Sequence, residues 1–145
     1  MLFSDAKGRK VVSSSTATTV GKVSGFVVDP ATRAVVGVQL KKAEHGDLLR
    51  WSDITAFGAD AVTVTDPDKI GDGGESVRAL TGKAHRVLGK RVLTSTGDEL
   101  GKVADVDFDP VSGVLAALLV DDDSEVEGAR LLGVGSYAVV VRDEP

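Results

Sequence analysis

The sequence predicts an all-β chain made of two tandem copies of one small β-barrel unit, and three observations carry that prediction. Three blocks of sequence recur in one order at a spacing of about eighty residues. Valine and glycine abound, and no stretch repeats apolar residues every three or four positions over three helical turns. Between the recurring halves lies Asp66-Pro67-Asp68-Lys69-Ile70-Gly71-Asp72-Gly73-Gly74-Glu75, a turn-forming run almost without apolar side chains.

The first block is Gly8-Arg9-Lys10-Val11-Val12, matched by Gly89-Lys90-Arg91-Val92-Leu93. The second is Gly21-Lys22-Val23-Ser24-Gly25-Phe26-Val27-Val28-Asp29-Pro30, matched by Gly101-Lys102-Val103-Ala104-Asp105-Val106-Asp107-Phe108-Asp109-Pro110. The third is Phe57-Gly58-Ala59-Asp60-Ala61-Val62-Thr63-Val64, matched by Val134-Gly135-Ser136-Tyr137-Ala138-Val139-Val140-Val141. The expected organisation is a first unit over 1–68, a linker over 69–82 and a second unit over 83–145. A unit of this size buries only about 60% of its unfolded surface, so the two copies are expected to lean on each other.

In chain order, each copy predicts a strand near Val11 or Val92, a long strand from Gly21 or Gly101, a tight turn, and a third strand from Ala34 or Val114. Shorter strands follow and end at Val62 to Val64 and Val139 to Val141. In the turns Asp29-Pro30-Ala31-Thr32-Arg33 and Asp109-Pro110-Val111-Ser112-Gly113, proline presets φ and aspartate caps the turn amides. Gly113 accepts the left-handed closing position, which suits Arg33 less well.

Counting back two residues at a time from each turn assigns the faces. The interior is expected to hold Ser24, Phe26, Val28, Ala34, Val36 and Val38, and Ala104, Val106, Phe108, Val114, Ala116 and Leu118. Phe26 and Phe108 are expected at equivalent interior positions. The outer face then carries Val23, Val27, Val35 and Gln39 in one copy, and Val103, Asp105, Asp107, Leu115 and Leu119 in the other. Apolar strips on an outer face call for a cover. Val23, Val27, Val35, Leu115 and Leu119 are therefore the candidate partner-binding residues, buried between the copies or across a homodimer.

The order strand, Gly-Lys-Val with an alternating strand, Asp-Pro turn, apolar strand and closing Gly-x-x-Ala-Val-x-Val resembles the PRC-barrel family. That family includes the cytoplasmic domain of the photosynthetic reaction centre H subunit and the C-terminal domain of ribosome-maturation factors. The resemblance covers nearly the whole chain twice. It implies small six-stranded barrels that act as docking modules, and it brings no catalytic residues to carry over.

Composition restricts the chemistry. The 145 residues carry a formal net charge of -5 and no Cys, which excludes disulfides and thiolate metal sites. No segment approaches the roughly 20 apolar residues of a membrane span. Met1-Leu2-Phe3-Ser4-Asp5 lacks a basic region followed by an apolar one, so no membrane is expected and the expected setting is cytoplasmic. Asp105, Asp107 and Asp109 alternate as cation ligands would, but Pro110 and Ala116 stand where a calcium loop needs glycine and glutamate. Asp121-Asp122-Asp123-Ser124-Glu125-Val126-Glu127 reads as an acidic surface loop. His45 and His85 have no partner at metal or triad spacing. Trp51 follows Leu48-Leu49 and is expected to close the first barrel. No metal or other cofactor is expected.

Charge is segregated along the chain. From Asp98 to the end there are twelve acidic and three basic residues, whereas 76–97 holds Arg78, Lys83, Arg86, Lys90 and Arg91 with no acid. Without an aromatic platform, and on an acidic protein, that segment reads as a salt-bridging surface, and nucleic acid is not expected as a partner. The sequence thus predicts a non-catalytic adaptor that binds a protein or itself. An RNA- or ribosome-associated maturation factor is the alternative.

Overall fold

The structure is a computed structural model and describes residues 1–143; the last two residues of the expected second unit, 144 and 145, lie outside the described residues. After a one-turn helix α1 (Phe3–Ala6), the first copy forms β1 (Lys10–Ser13), β2 (Thr18–Asp29), β3 (Ala34–Lys41), β4 (Leu48–Arg50), β5 (Ile54–Phe57) and β6 (Ala61–Val64). A short helix α2 (Gly74–Arg78) lies between the copies. The second copy forms β7 (Arg91–Thr94), β8 (Glu99–Phe108), β9 (Leu115–Val120), β10 (Glu125–Glu127), β11 (Leu131–Val134) and β12 (Ala138–Val141).

The strand orders are β4-β3-β2-β1-β6-β5 and β10-β9-β8-β7-β12-β11, the same topology twice. In each sheet one pair is parallel, β1 with β6 and β7 with β12, and the rest are antiparallel. Each order ends in two free strands, so these are open six-stranded mixed sheets, and the expected hydrogen-bonded closure into barrels is not present. Six short strands of three to twelve residues leave too little ladder to wrap round and meet.

Both hairpin turns follow the sequence expectation. The Arg33 N–H donates to the Asp29 carbonyl at 2.8 Å and the Gly113 N–H to the Asp109 carbonyl at 2.7 Å, while the aspartate Oδ1 atoms accept from Ala31 and Val111. Arg33 and Gly113 both take positive φ, 55° and 81°. The amides of Val111 and, less strongly, Ser112 hold the Asp109 carboxyl below its ordinary value.

Face assignment by strict alternation fails, because both hairpins carry bulges. Ser24 is an extra residue between the pairs Val23↔Leu40 and Gly25↔Gln39, and Val36 between Val27↔Gly37 and Val28↔Val35. The second copy repeats both, with Ala104 and Ala116 as the extra residues. Each bulge moves the following residues to the other face. Val23 and Val103, expected outside, lie beyond the bulges at Ser24 and Ala104 and are interior; Val35 and Leu115, expected outside, are interior because they, and not Ala34 and Val114, pair with Val28 and Phe108, while Ala104, Val114 and Ala116, expected inside, are exposed. Phe26, Val28, Val38, Val106, Phe108 and Leu118 do point inward. Phe26 and Phe108 are not equivalent, however: Phe26 pairs with Val38 as Val106 pairs with Leu118, and Phe108 occupies the place of Val28.

The two copies share one core. A single contiguous cluster includes Val28, Val35, Phe57, Val106, Phe108 and Leu115, drawn from both halves. At the junction the hairpins bridge at Ala34↔Val114: the Val35 N–H donates to the Gly113 carbonyl (2.8 Å) and the Leu115 N–H to the Arg33 carbonyl (3.0 Å). These bonds relate equivalent residues of the two copies and mark a local pseudo-twofold.

The segment between the copies is fastened to the first. Gly71 and Leu48 exchange backbone bonds at 3.0 Å, and the Arg78 guanidinium meets Asp47 at 2.6 Å, which lowers the Asp47 pKa. That ion pair supports the folded state above the ordinary Asp range and is lost as pH falls through the lowered value; both side chains are more than a third exposed, so solvent screens it. The apolar contact matters more. Val77 packs with Leu48 over Val27, and a Cβ on Gly37 would come within 2.9 Å of the Val77 Cγ1. Val27 is thus on the outer face but covered. Val77→Ala should cost about 1–2 kcal/mol, two methyl groups at ~0.8 kcal/mol each plus a small void, as measured by urea unfolding.

Candidate functional site

Elements equivalent in the two copies converge on a cleft of about 580 Å³ at the junction. From the segments leading into β1 and β7 come Phe3, Ser4 and Lys7 on one side and Arg86, Val87 and Leu88 on the other. The two strand bulges face it as well, with Ser24 and Gly25 from β2 and Ala104 and Asp105 from β8. Its floor is aromatic: Phe26 is half-buried and stacks on Phe3 at 4.0 Å between ring centroids. The Gln39 side chain lies across Gly25, close enough that a Cβ there would displace it.

Beneath the floor the rings of both copies meet. Phe108 is 1% exposed and sits 5.4 Å from Phe26, 5.5 Å from Phe57, 5.6 Å from Phe3 and 6.1 Å from Trp51. Trp51 stacks on Phe57 at 5.7 Å within its own copy, as expected of it, and serves the junction as well. It also explains Gly113. A Cβ there would stand 3.0 Å from the indole and 2.9 Å from the Val35 carbonyl oxygen, so no side chain fits. Across the pseudo-twofold the sizes are exchanged. Arg33 replaces the turn glycine, Gly128 replaces the tryptophan, and the Arg33 Nε donates to the Leu131 carbonyl of the second copy at 2.7 Å. That cross-copy bond accompanies the unusual positive φ of Arg33.

Charged groups sort into those engaged and those left facing solvent. Asp105 accepts from the Ser4 N–H and hydroxyl and from the Val106 N–H, and Asp107 from the Met1 amine at 2.8 Å. With Asp109 capping its turn, the three carboxylates face three different donor sets rather than one ion. The acidic run is likewise used locally: Asp121 accepts from the Lys102 N–H, and Asp122 from Ser124, whose hydroxyl and amide keep that carboxyl ionised below its usual range.

In the basic segment Arg78 is held by Asp47, and Arg91 contacts Glu99 and lies 4.4 Å over the Tyr137 ring. The Lys90 ammonium donates to the Lys83 carbonyl, and burial, then the nearby Arg86, lowers its pKa. Lys83 and Arg86 make no salt bridge among the described residues, and neither does Lys7. No group of three or more His, Asp or Glu side chains among the described residues is placed to hold a metal, and none of the helices there is long and apolar enough to cross a membrane.

Of the five candidate partner-binding residues, Val23, Val35 and Leu115 lie in the shared core and Val27 under α2; Leu119 stays half-exposed on the outer face beside Asp105. Sequence reasoning missed the cleft. The only signal for it was the Ser24-Gly25 pair, small residues in a strand that mark a bulge or a close approach.

Two open six-stranded sheets of one topology thus share a core and flank a partly apolar cleft. The chain belongs to the PRC-barrel domain family, whose model matches it twice, over residues 1–70 and 82–143. PRC-barrel domains are non-catalytic and generally act as protein-interaction or adaptor modules. No curated protein matches the chain.

Proposed function

We propose that this chain is a cytoplasmic adaptor that uses the junction of its two PRC-like units, 1–68 and 83–145, with 69–82 as a fastened linker, to hold a partner protein. The observation that carries this reading is the cleft, because it exists only where the two copies meet and both contribute equivalent segments to it. Val23, Val35 and Leu115 then serve the association of copy with copy inside one chain, Val27 serves the docking of α2, and Leu119 is left for an outside partner. With the strips consumed internally, a different protein is favoured over a second copy.

Two measurements test this. Sedimentation should give a single species near the chain mass of 15.0 kDa, and a stable dimer would redirect the proposal to self-association. Capture from the native cell, with and without nuclease, should retain the same protein, which then rebinds the purified chain in defined stoichiometry. Loss of all capture on nuclease treatment, with binding that falls steeply as salt rises, would make the RNA- or ribosome-associated reading the better one.

A further inference from the structure

The two halves of the junction differ at one strand edge. β7 leaves β8 after Val103, and the start of the chain takes over: Leu2 bridges Asp107 in antiparallel sense, and the Phe108 N–H donates to the Met1 carbonyl at 2.8 Å. β1 leaves β2 at the equivalent Val23, whose N–H still donates to the Arg9 carbonyl at 2.9 Å. Beyond it, no bridge reaches Val27, the counterpart of Asp107, among the described residues. Val28 faces Val35 in β3, and the Val35 N–H is spent on Gly113, away from β2. The Val28 and Val35 pair is thus of the non-hydrogen-bonded kind, and the Val28 amide and carbonyl are directed away from β3, as those of Phe108 are directed toward Met1; outside the sheet ladders no backbone group meets them among the described residues, and Val28 as a whole is 3% exposed. Phe26 and Val28 both line the cleft.

We propose that this edge of β2 accepts an extended acidic peptide as an added antiparallel strand, in the way that Met1 and Leu2 add to β8. The assignment rests on the adaptor reading of the cleft and names its partner. Backbone pairing at Val28 supplies binding that is indifferent to sequence, and the cleft supplies the selection. An apolar side chain of the peptide rests on Phe26 and on Leu88, which is 38% exposed. A carboxylate sits near Lys7 and Arg86, two exposed cations that make no salt bridge among the described residues, while Asp105 is already taken by Ser4 and Val106. A basic peptide would meet those cations with like charge.

A random heptapeptide phage library selected on the intact chain tests this. Enriched peptides should carry an acid next to a bulky apolar residue. As synthetic peptides they should slow hydrogen exchange of the Val28 amide and lose at least about tenfold in affinity for the Lys7→Glu, Arg86→Glu double variant, whose changes are at exposed positions. N-methylation of the peptide amides that pair with β2 should abolish binding, and N-methylation of the alternate amides should not. Enrichment of basic peptides or of none, or an unchanged Val28 amide, overturns the proposal. So does an RNA decamer that competes for the same cations, or closure of the edge by residues 79–84 of the chain itself. Peptide binding without a captured cellular protein would sink the adaptor reading alone, and a reconstituted partner without peptide binding would sink this assignment alone.

Discussion

Replacing Phe108 by alanine is expected to lower the stability of the whole chain, not of its second half, by about 3–5 kcal/mol. Phe108 is the one ring that the second copy sends into the aromatic cluster, and it contacts four rings of the first. Its removal leaves a cavity bounded by both sheets, neither of which can close it without moving the other. Against a typical total of about 5–15 kcal/mol, that loss is a large share. Urea unfolding followed through Trp51 fluorescence reports the first copy, and the Tyr137 resonances report the second. Both transitions should coincide in the parent and shift together in Phe108→Ala. A shift in one with the other unmoved would mean that the copies unfold separately and do not share a core. Phe26→Ala should cost less, since that ring is half-exposed at the floor of the cleft and leaves a void that water can enter.

The repeat, the hairpin turns and the inward direction of Phe108 were legible because each has a local cause: glycines at recurring spacing, an Asp-Pro turn, an apolar residue next to that turn. The bulges were not. An extra residue such as Ser24 or Ala116 looks in sequence like any other member of an alternating strand, yet it reverses the parity of everything beyond it. That is why Val23 was placed on the wrong face; Leu115 was misplaced because the ladder closes one residue later than the turn suggests, pairing Phe108 with Leu115, and the bulges at Val36 and Ala116 cancel that shift, so Val38 and Leu118 were placed correctly. All four register shifts of the first copy, on three ladders, recur at equivalent places in the second, which identifies them as features of the fold rather than local irregularity.

The cleft was illegible for a different reason. Its walls come from segments that are separately unremarkable, and they become a site only through the Ala34↔Val114 bridge that sets one copy against the other. Near the same bridge Trp51 packs against Gly113, whereas at the related positions Arg33 bonds to the Leu131 carbonyl and Gly128 lies against the Leu115 backbone. The copies have thereby become non-interchangeable, and the vacant edge of β2 opposite the occupied edge of β8 is part of that divergence.

Leu115→Asp and Leu119→Asp separate the bulged register from the alternating one, because strict alternation puts both leucines on the same outer face and the structure puts them on opposite faces. Leu115 is 3% exposed, opposite Phe108 in the ladder and joined to Arg33 through its amide. A carboxylate there enters the shared core without a cation or donor to meet it, and the expected cost exceeds about 4 kcal/mol, enough to leave most of the chain unfolded or the aspartate protonated. The sign with pH follows: the buried group's pKa is raised, so the variant recovers stability as pH falls below the raised value and loses it as pH rises. Leu119 pairs with Asp105 and Glu125 on the outer face, so its replacement adds like charge in a wet setting and costs about 1 kcal/mol or less. Thermal melts at pH 5 and pH 8 read both effects. Equal, small losses for the two variants would restore the alternating register and remove Leu115 from the core; a large, pH-dependent loss confined to Leu115→Asp is the result that the bulge at Ala116 requires.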